Sequence, residues 1–310
     1  MALSTRITEM LGIEKPIIQA AMGWIARAQL SSAVSNAGGM GIIETSSGEL
    51  DAVREEILKM RQLTDKPFGV NVAQAFVRDP DIIRFVIDQG VKFVTTSAGD
   101  PMKYTAMLKD AGLTVFHVVP NLAGALRAVE AGVDGLIVEG GEGGGFKNPK
   151  DVSTMVLVPQ VVEAVDVPVV AAGGIMDGKT MAAAFALGAE GVLMGTRILS
   201  SAESPVHENW KQAILDADAT DTVFLNRKGP GPALRALRTA RSTRIAAEGS
   251  PNIFGEFADT RKVYFEGDLE AGIALTGQVA GRIHEVKPVA QILDETMREY
   301  AAVVAGLPRG

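Results

Sequence analysis

The feature that most constrains this chain is a repeat. Short apolar runs at 16–22, 40–44, 67–72, 92–96, 114–119, 135–138, 169–172 and 191–194 alternate with segments of helical spacing. Val169, Val170, Ala171 and Ala172 show no polar alternation, as a strand buried on both faces should. Glycines such as Gly38, Gly90, Gly112, Gly132 and Gly188 close the helical segments. Alternating strands and helices predict a parallel α/β protein. Eight units favour a closed (β/α)8 TIM barrel over an open doubly wound sheet. No G-x-G-x-x-G follows the first strand, which weakens the open nucleotide-binding alternative.

The repeat stops after Ala202. The stretch 203–268 is expected to be a helical insertion or lid, with a basic helical piece at 235–244 and turn signals at GPGP and GSPN. Helices are expected at 271–283 and 289–304. The predicted organisation is a barrel over 1–202, the insertion over 203–268, and terminal helices over 269–310 packing back on the barrel. A hydrophobic content of 47% supports a substantial core. The chain has no cysteine and only three histidines, none paired at metal-ligand spacing, so no metal site is expected. The net charge of −7 argues against nucleic-acid binding. Charged residues at the N-terminus and the lack of a long apolar run predict no signal peptide and no membrane span. The expectation is a cytoplasmic enzyme acting on a small molecule, with a homo-oligomer left open.

In a barrel, chemistry sits at the carboxyl ends of the strands. That rule selects the Ala21–Met22–Gly23 turn, Asn71, Thr96, Ser97, His117, Glu139, the 140–146 loop, Gly173, Gly174, Gly195 and Thr196. The last four end neighbouring strands in AAGG and MGT. Glycine exposes bare N–H groups, and a following helix adds its positive end, so these two turns form a candidate phosphate site. Asp177 is placed to cap the helix between them. Asn71 offers both a donor and an acceptor to a heterocyclic edge. His117 lies in an apolar strand and is either a core residue or a catalyst. Glu139 and Glu142 are either an acidic pair or, more plainly, one strand-end carboxylate bonded to a loop. Lys147 reads as solvent-facing.

The stretches PIIQAAMGWIA, NAGGMGII, LTDKPFGVN, EGGEGGG, AAGGIMDG and MGTR occur in this order from Pro16 to Arg197. In these the chain resembles the nitronate monooxygenase family, formerly the 2-nitropropane dioxygenases. That family includes FMN-dependent enoyl-acyl-carrier-protein reductases and NADH:quinone reductases. The resemblance implies FMN, its phosphate on Gly173, Gly174, Gly195 and Thr196 and its ring across Ala21, Met22 and Gly23 near Asn71. It also places Glu139, Gly144, Gly145, Ala172 and Met194 at the cofactor, and Phe146 and Gln278 in the substrate pocket. It implies oxidation of alkyl nitronates with O2. The alternative is an NAD(P)H-dependent reductase acting on an organic acceptor, a quinone or an enoyl thioester. A flavin-free phosphate-binding isomerase or aldolase is the rival from another class. One position departs from the family: where members often carry a basic histidine after the loop glycines, this chain has Phe146. His117 is the candidate to replace it.

Overall fold

The computed structural model describes residues 3–308. The chain opens with α1 (Arg6–Leu11), β1 (Ile17–Gln19), α2 (Ala28–Asn36), β2 (Gly41–Ile43), α3 (Leu50–Leu63) and β3 (Phe68–Ala73). It continues through α4 (Ile82–Asp88), β4 (Phe93–Ser97), α5 (Thr105–Asp110), β5 (Thr114–Val119), α6 (Leu122–Glu130) and β6 (Gly135–Glu139). After β6 come a short extra strand β7 (Gly145–Lys147), α7 (Thr154–Val162), β8 (Val169–Ala172), α8 (Gly178–Ala186), β9 (Gly191–Met194) and the stub α9 (Thr196–Leu199). The eight-stranded sheet runs β1-β9-β8-β6-β5-β4-β3-β2, every pair parallel. A parallel bridge between Ile18 and Met40 joins its two edges, with the Gln19 N–H donating to the Met40 carbonyl at 3.0 Å. Closure leaves no free edge, and the result is the (β/α)8 barrel that the repeat predicts.

Packing explains why these apolar runs close. The barrel interior holds Ile18, Met40, Ile42, Phe93, Phe116, Ile137 and Val170. Phe93 and Phe116 meet edge-to-face at 5.1 Å. Gly69 and Gly135 make room for them: a Cβ on Gly135 would sit 2.6 Å from the Phe116 ring, and one on Gly69 2.7 Å from Phe93. Ile7 and Leu11 of α1 join the same cluster and stop the amino-terminal end of the barrel. A larger cluster fills the layer between strands and helices. The helix between the last two barrel strands starts as expected. Asp177 accepts from the Thr180 N–H at 2.8 Å, and Thr180 returns the bond, a reciprocal cap that stabilises by about 1 kcal/mol.

Beyond α9 the chain makes a long excursion before supplying the last helix of the ring. It contains α10 (Glu208–Leu215), the antiparallel strands β10 (Thr222–Leu225) and β11 (Ala233–Leu237), α11 (Ala240–Glu248) and a π-helical turn, Lys262–Glu266. Then α12 (Val289–Gly306) packs on α8 and α2. The contact with α8 is close, for the Gly178 N–H donates to Glu299 and a Cβ on Gly178 would meet the Tyr300 nitrogen. Two details differ from expectation. Arg235 lies on strand β11 rather than on a helix, because β11 pairs with β10 on one side and β7 on the other. The stretch 271–283 is not an α-helix; it runs extended into a 3-10 turn, Gln278–Arg282, because its backbone is pinned to the loop after β6. No helix of the described residues is long and apolar enough to cross a membrane.

Candidate active site

At the carboxyl end of the barrel lies a cavity of about 910 Å³, within the range of small-molecule and cofactor sites. Its wall includes most of the residues selected from the sequence: Ala21, Met22, Gly23, Asn71, His117, Glu139, Gly144, Gly145, Phe146, Ala172, Gly173, Gly174, Gly195 and Thr196. Met194 is not in the wall. It is fully buried in the layer behind β9, and its carbonyl accepts the Ala20 N–H at 3.0 Å. Gln278 is not in the wall either. Its backbone N–H donates to the Glu142 carbonyl at 2.9 Å, so it shapes the loop and not the cavity.

The two glycine turns have the character of an anion cradle. Gly173 and Gly174 take left-handed φ values of 87° and 76°, which only glycine adopts readily. Among the described residues, the N–H groups of Gly173, Gly174, Gly195 and Thr196 donate to no protein acceptor. Gly195 and Thr196 also open α9. Gly173, Gly174 and Gly195 are half-buried and Thr196 is buried, and all four line the cavity, so N–H groups left without acceptors on these neighbouring turns suit an anion. A Cβ on Gly173 would lie 2.8 Å from the Gly140 carbonyl, whereas one on Gly195 would meet Ala20 at an ordinary 3.5 Å. At the opposite wall, Asn71 is fixed by donation from Nδ2 to the Thr95 carbonyl (3.2 Å) and hydroxyl (2.9 Å). A carbonyl can only accept, so this fixes Nδ2 on Thr95 and leaves Oδ1 for a ligand donor. Gln19 Oε1, also at the wall, is buried without a partner. A phosphate at one end and an N–H edge at the other therefore match the residues present. The turns flanking the cavity hold two non-glycine residues at positive φ, Trp24 (59°) and Ala98 (53°), a form of strain that clusters at ligand sites.

His117 of β5 is 3% exposed, and its Nδ1 lies 2.7 Å from the Thr96 hydroxyl. Burial pushes its pKa down to about 4, against the opposing pull of the Gly99 carbonyl and Asp100. At neutral pH it is an uncharged ring. Three carboxylates line the cavity, and each has a partner. At the mouth Asp100 is held down to about 2 by Arg127 and the Met102 N–H. Glu142 holds the first turn of α7 through the Thr154 N–H and hydroxyl. Glu139 pairs with Lys147 at 2.5 Å. The two glutamates thus have separate jobs. Lys147 is a correction: its side chain is 4% exposed and lines the cavity, where a solvent-facing lysine was expected. Strand β7 turns it inward, and nothing in the local sequence announces that strand.

Phe146 sits beside Lys147 in an aromatic wall. Its ring stacks on Phe257 at 5.7 Å and meets Phe76 at 4.9 Å and Phe254 at 6.2 Å. Phe254 and Phe257 come from the excursion, which is bonded to the loop that carries Phe146. Arg235 donates from Nε to the Gly141 carbonyl at 2.7 Å, and Gly144 and Gly277 abut so closely that neither admits a Cβ. Sequence reading also missed Trp210 and Tyr264. Both belong to the excursion and reach the cavity wall, packed 4.9 Å apart.

A closed (β/α)8 barrel with glycine turns at its last two strand ends and an aromatic wall over the same cavity defines a barrel of the kind whose chemistry sits at the carboxyl ends of its strands. A family model described as nitronate monooxygenase matches residues 4–83 and 74–299. The chain belongs to this family, one of flavoenzymes, and is an oxidoreductase. It is 40% identical, over 77% of its length and 67% of the relative's, to a 5-hydroxy-7a-methyl-1-oxo-octahydro-1H-indene-4-carboxyl-CoA dehydrogenase of Mycobacterium tuberculosis. It is 35% identical to a probable nitronate monooxygenase of Staphylococcus saprophyticus, over 73% of this chain and 76% of the relative. The structure of FabK from Thermotoga maritima superposes with a TM-score of 0.91 at 42% identity, covering 98% of both chains.

Proposed function

We propose that this chain is an FMN-dependent oxidoreductase that oxidises alkyl nitronates with O2. FMN, when bound, supplies the electron-accepting ring. The N–H groups of Gly173, Gly174, Gly195 and Thr196 hold its phosphate, the 21–23 turn seats the ring, and Asn71 Oδ1 accepts from the ring's N–H edge. Phe146, Phe76 and Phe254, which line the cavity, keep water from the reacting face. The excursion from residue 203 onward acts as a cover, with Tyr264 and Trp210 as its inner surface.

One observation carries the substrate: no ionisable side chain at the cavity is left as a free base, for burial pushes the pKa of the wall residue Tyr264 up and keeps its hydroxyl protonated. Asp100, Glu139 and Glu142 have partners, Lys147 is held by Glu139, and His117 is neutral and bound to Thr96. Phe146 cannot take a proton. A neutral nitroalkane must lose a carbon-bound proton before it can be oxidised; a nitronate has already lost it. The site therefore suits a substrate that arrives as the anion. Oxygen consumption by the purified protein with preformed propyl-1-nitronate tests the reading, and no uptake sinks it.

The second reading is an NAD(P)H-dependent reductase of a quinone or enoyl thioester. The likeness to FabK over 98% of both chains favours it, and hydride donation needs no base either. Rapid NAD(P)H oxidation without nitronate turnover would select it.

A further inference from the structure

Lys147 uses only part of its hydrogen-bonding capacity within the protein. An ammonium group carries three donors. Among the described residues it has one acceptor, Glu139, at 2.5 Å, although its side chain is only 4% exposed. Burying an ion pair is costly unless the remaining protons also find acceptors. Here they have none in the protein, and the group lines the cavity next to Phe146. Glu139 sits at the end of β6 and Lys147 on β7, so the 140–146 loop of glycines and Glu142 folds back to bring them together. The pair is tight: a Cβ on Gly143 would lie 2.7 Å from Glu139 Oε1 and 3.0 Å from Lys147 Nζ.

We infer that Lys147, poised by Glu139, is an oxyanion anchor that binds the negatively charged oxygen of the substrate beside the reacting carbon. This rests on the nitronate reading and deepens it, since a nitronate carries its charge on two such oxygens. The oxygen of a thioester enolate has the same chemistry, and the test separates the sources. Lys147 works as a donor, so it needs no free base. Glu139 orients the ammonium and moderates its charge. Removing Glu139 therefore strengthens anion binding, an effect that a purely structural pair does not produce.

The test uses the flavin-loaded protein and butyrate, a planar oxyanion that cannot be oxidised like a nitronate. Its affinity is read from the change in the flavin's visible spectrum. Lys147→Met combined with Glu139→Gln keeps the site's net charge. It is expected to retain flavin and weaken butyrate roughly 10- to 100-fold, the worth of a hydrogen bond to a charged group, with a matching rise in KM for propyl-1-nitronate. Lys147→Arg should recover part of the loss. Glu139→Gln alone should bind butyrate more tightly than wild type, and it serves if the double variant does not fold. Wild-type affinity in the flavin-loaded double variant overturns the anchor, as does no saturable butyrate binding by wild type, or unchanged or weaker binding by Glu139→Gln. Butyrate effects as expected with no nitronate turnover keep the anchor and remove the nitronate reading. An enoyl thioester reduced with NAD(P)H and sensitive to Lys147→Arg would then mark the enolate as its ligand.

Discussion

Gly195→Asp is the sharpest perturbation of the proposed phosphate cradle. Gly173 is a poor place to test it. Its φ of 87°, and the Gly140 carbonyl only 2.8 Å from where a Cβ would stand, mean that any side chain there damages the loop itself. Gly195 has a φ of −101° and only an ordinary 3.5 Å contact waiting for a Cβ. The fold should therefore accept a side chain there. A carboxylate about 4 Å from a phosphate charge costs about 4 kcal/mol at an effective dielectric of about 20. That corresponds to roughly 1000-fold weaker FMN binding. Gly195→Ala is the control, expected to fold as wild type and keep far more of its flavin. The assay is the FMN dissociation constant from flavin fluorescence as apoprotein is titrated, with the thermal midpoint measured alongside. A folded Gly195→Asp that binds FMN with wild-type affinity refutes the cradle.

Other outcomes follow from the same site. Phe146→His puts a proton acceptor where the wall is now apolar; it should raise activity on neutral nitroalkane by about 10²-fold or more while leaving nitronate turnover within a few-fold, measured by oxygen uptake on both forms. His117 titrates near 4 when folded and near 6.5 when unfolded, so the unfolded chain binds the extra proton between those values. Its contribution to stability is present above pH 6.5 and is lost as pH falls through about 4, on the order of 3 kcal/mol in all; His117→Gln should flatten the fall in denaturation midpoint across that window. Phe116→Ala empties the barrel interior beside Gly135 and should cost about 3–5 kcal/mol by chemical denaturation. If the excursion is a cover, ligand binding should slow limited proteolysis within 225–255, and unchanged cutting with normal turnover by the nicked protein would count against it.

The barrel was legible because its strands are short, mostly apolar runs that recur between helical segments, and runs such as Val169–Ala172, buried on both faces, carry no polar residue at all. The glycine turns were legible for a related reason: the absence of a side chain at a strand end is itself the signal. What stayed hidden depends on partners distant in sequence. Arg235 reads as part of a basic helix until the Gly141 carbonyl and Thr222 hydroxyl are seen to satisfy it inside a sheet. The 271–283 stretch has helical composition, but Gly277 is spent on close contact with Gly144 and its N–H on Thr196. Lys147 reads as solvent-facing because its burial depends on a loop that returns it to Glu139. Tyr264 and Trp210 reach the cavity from the segment whose pattern said least.

Base-free oxidation at a flavin is the core of the proposed function, and one anaerobic measurement meets it directly. The flavin-loaded wild-type protein is mixed, without oxygen, with propyl-1-nitronate or with neutral 1-nitropropane, and loss of the flavin's visible absorbance is followed. A site without a free base predicts prompt bleaching by the nitronate and bleaching at least about 100-fold slower by the neutral form. Equal rates for the two would contradict it, because a base that the cavity's hydrogen bonds leave no room for would then be at work.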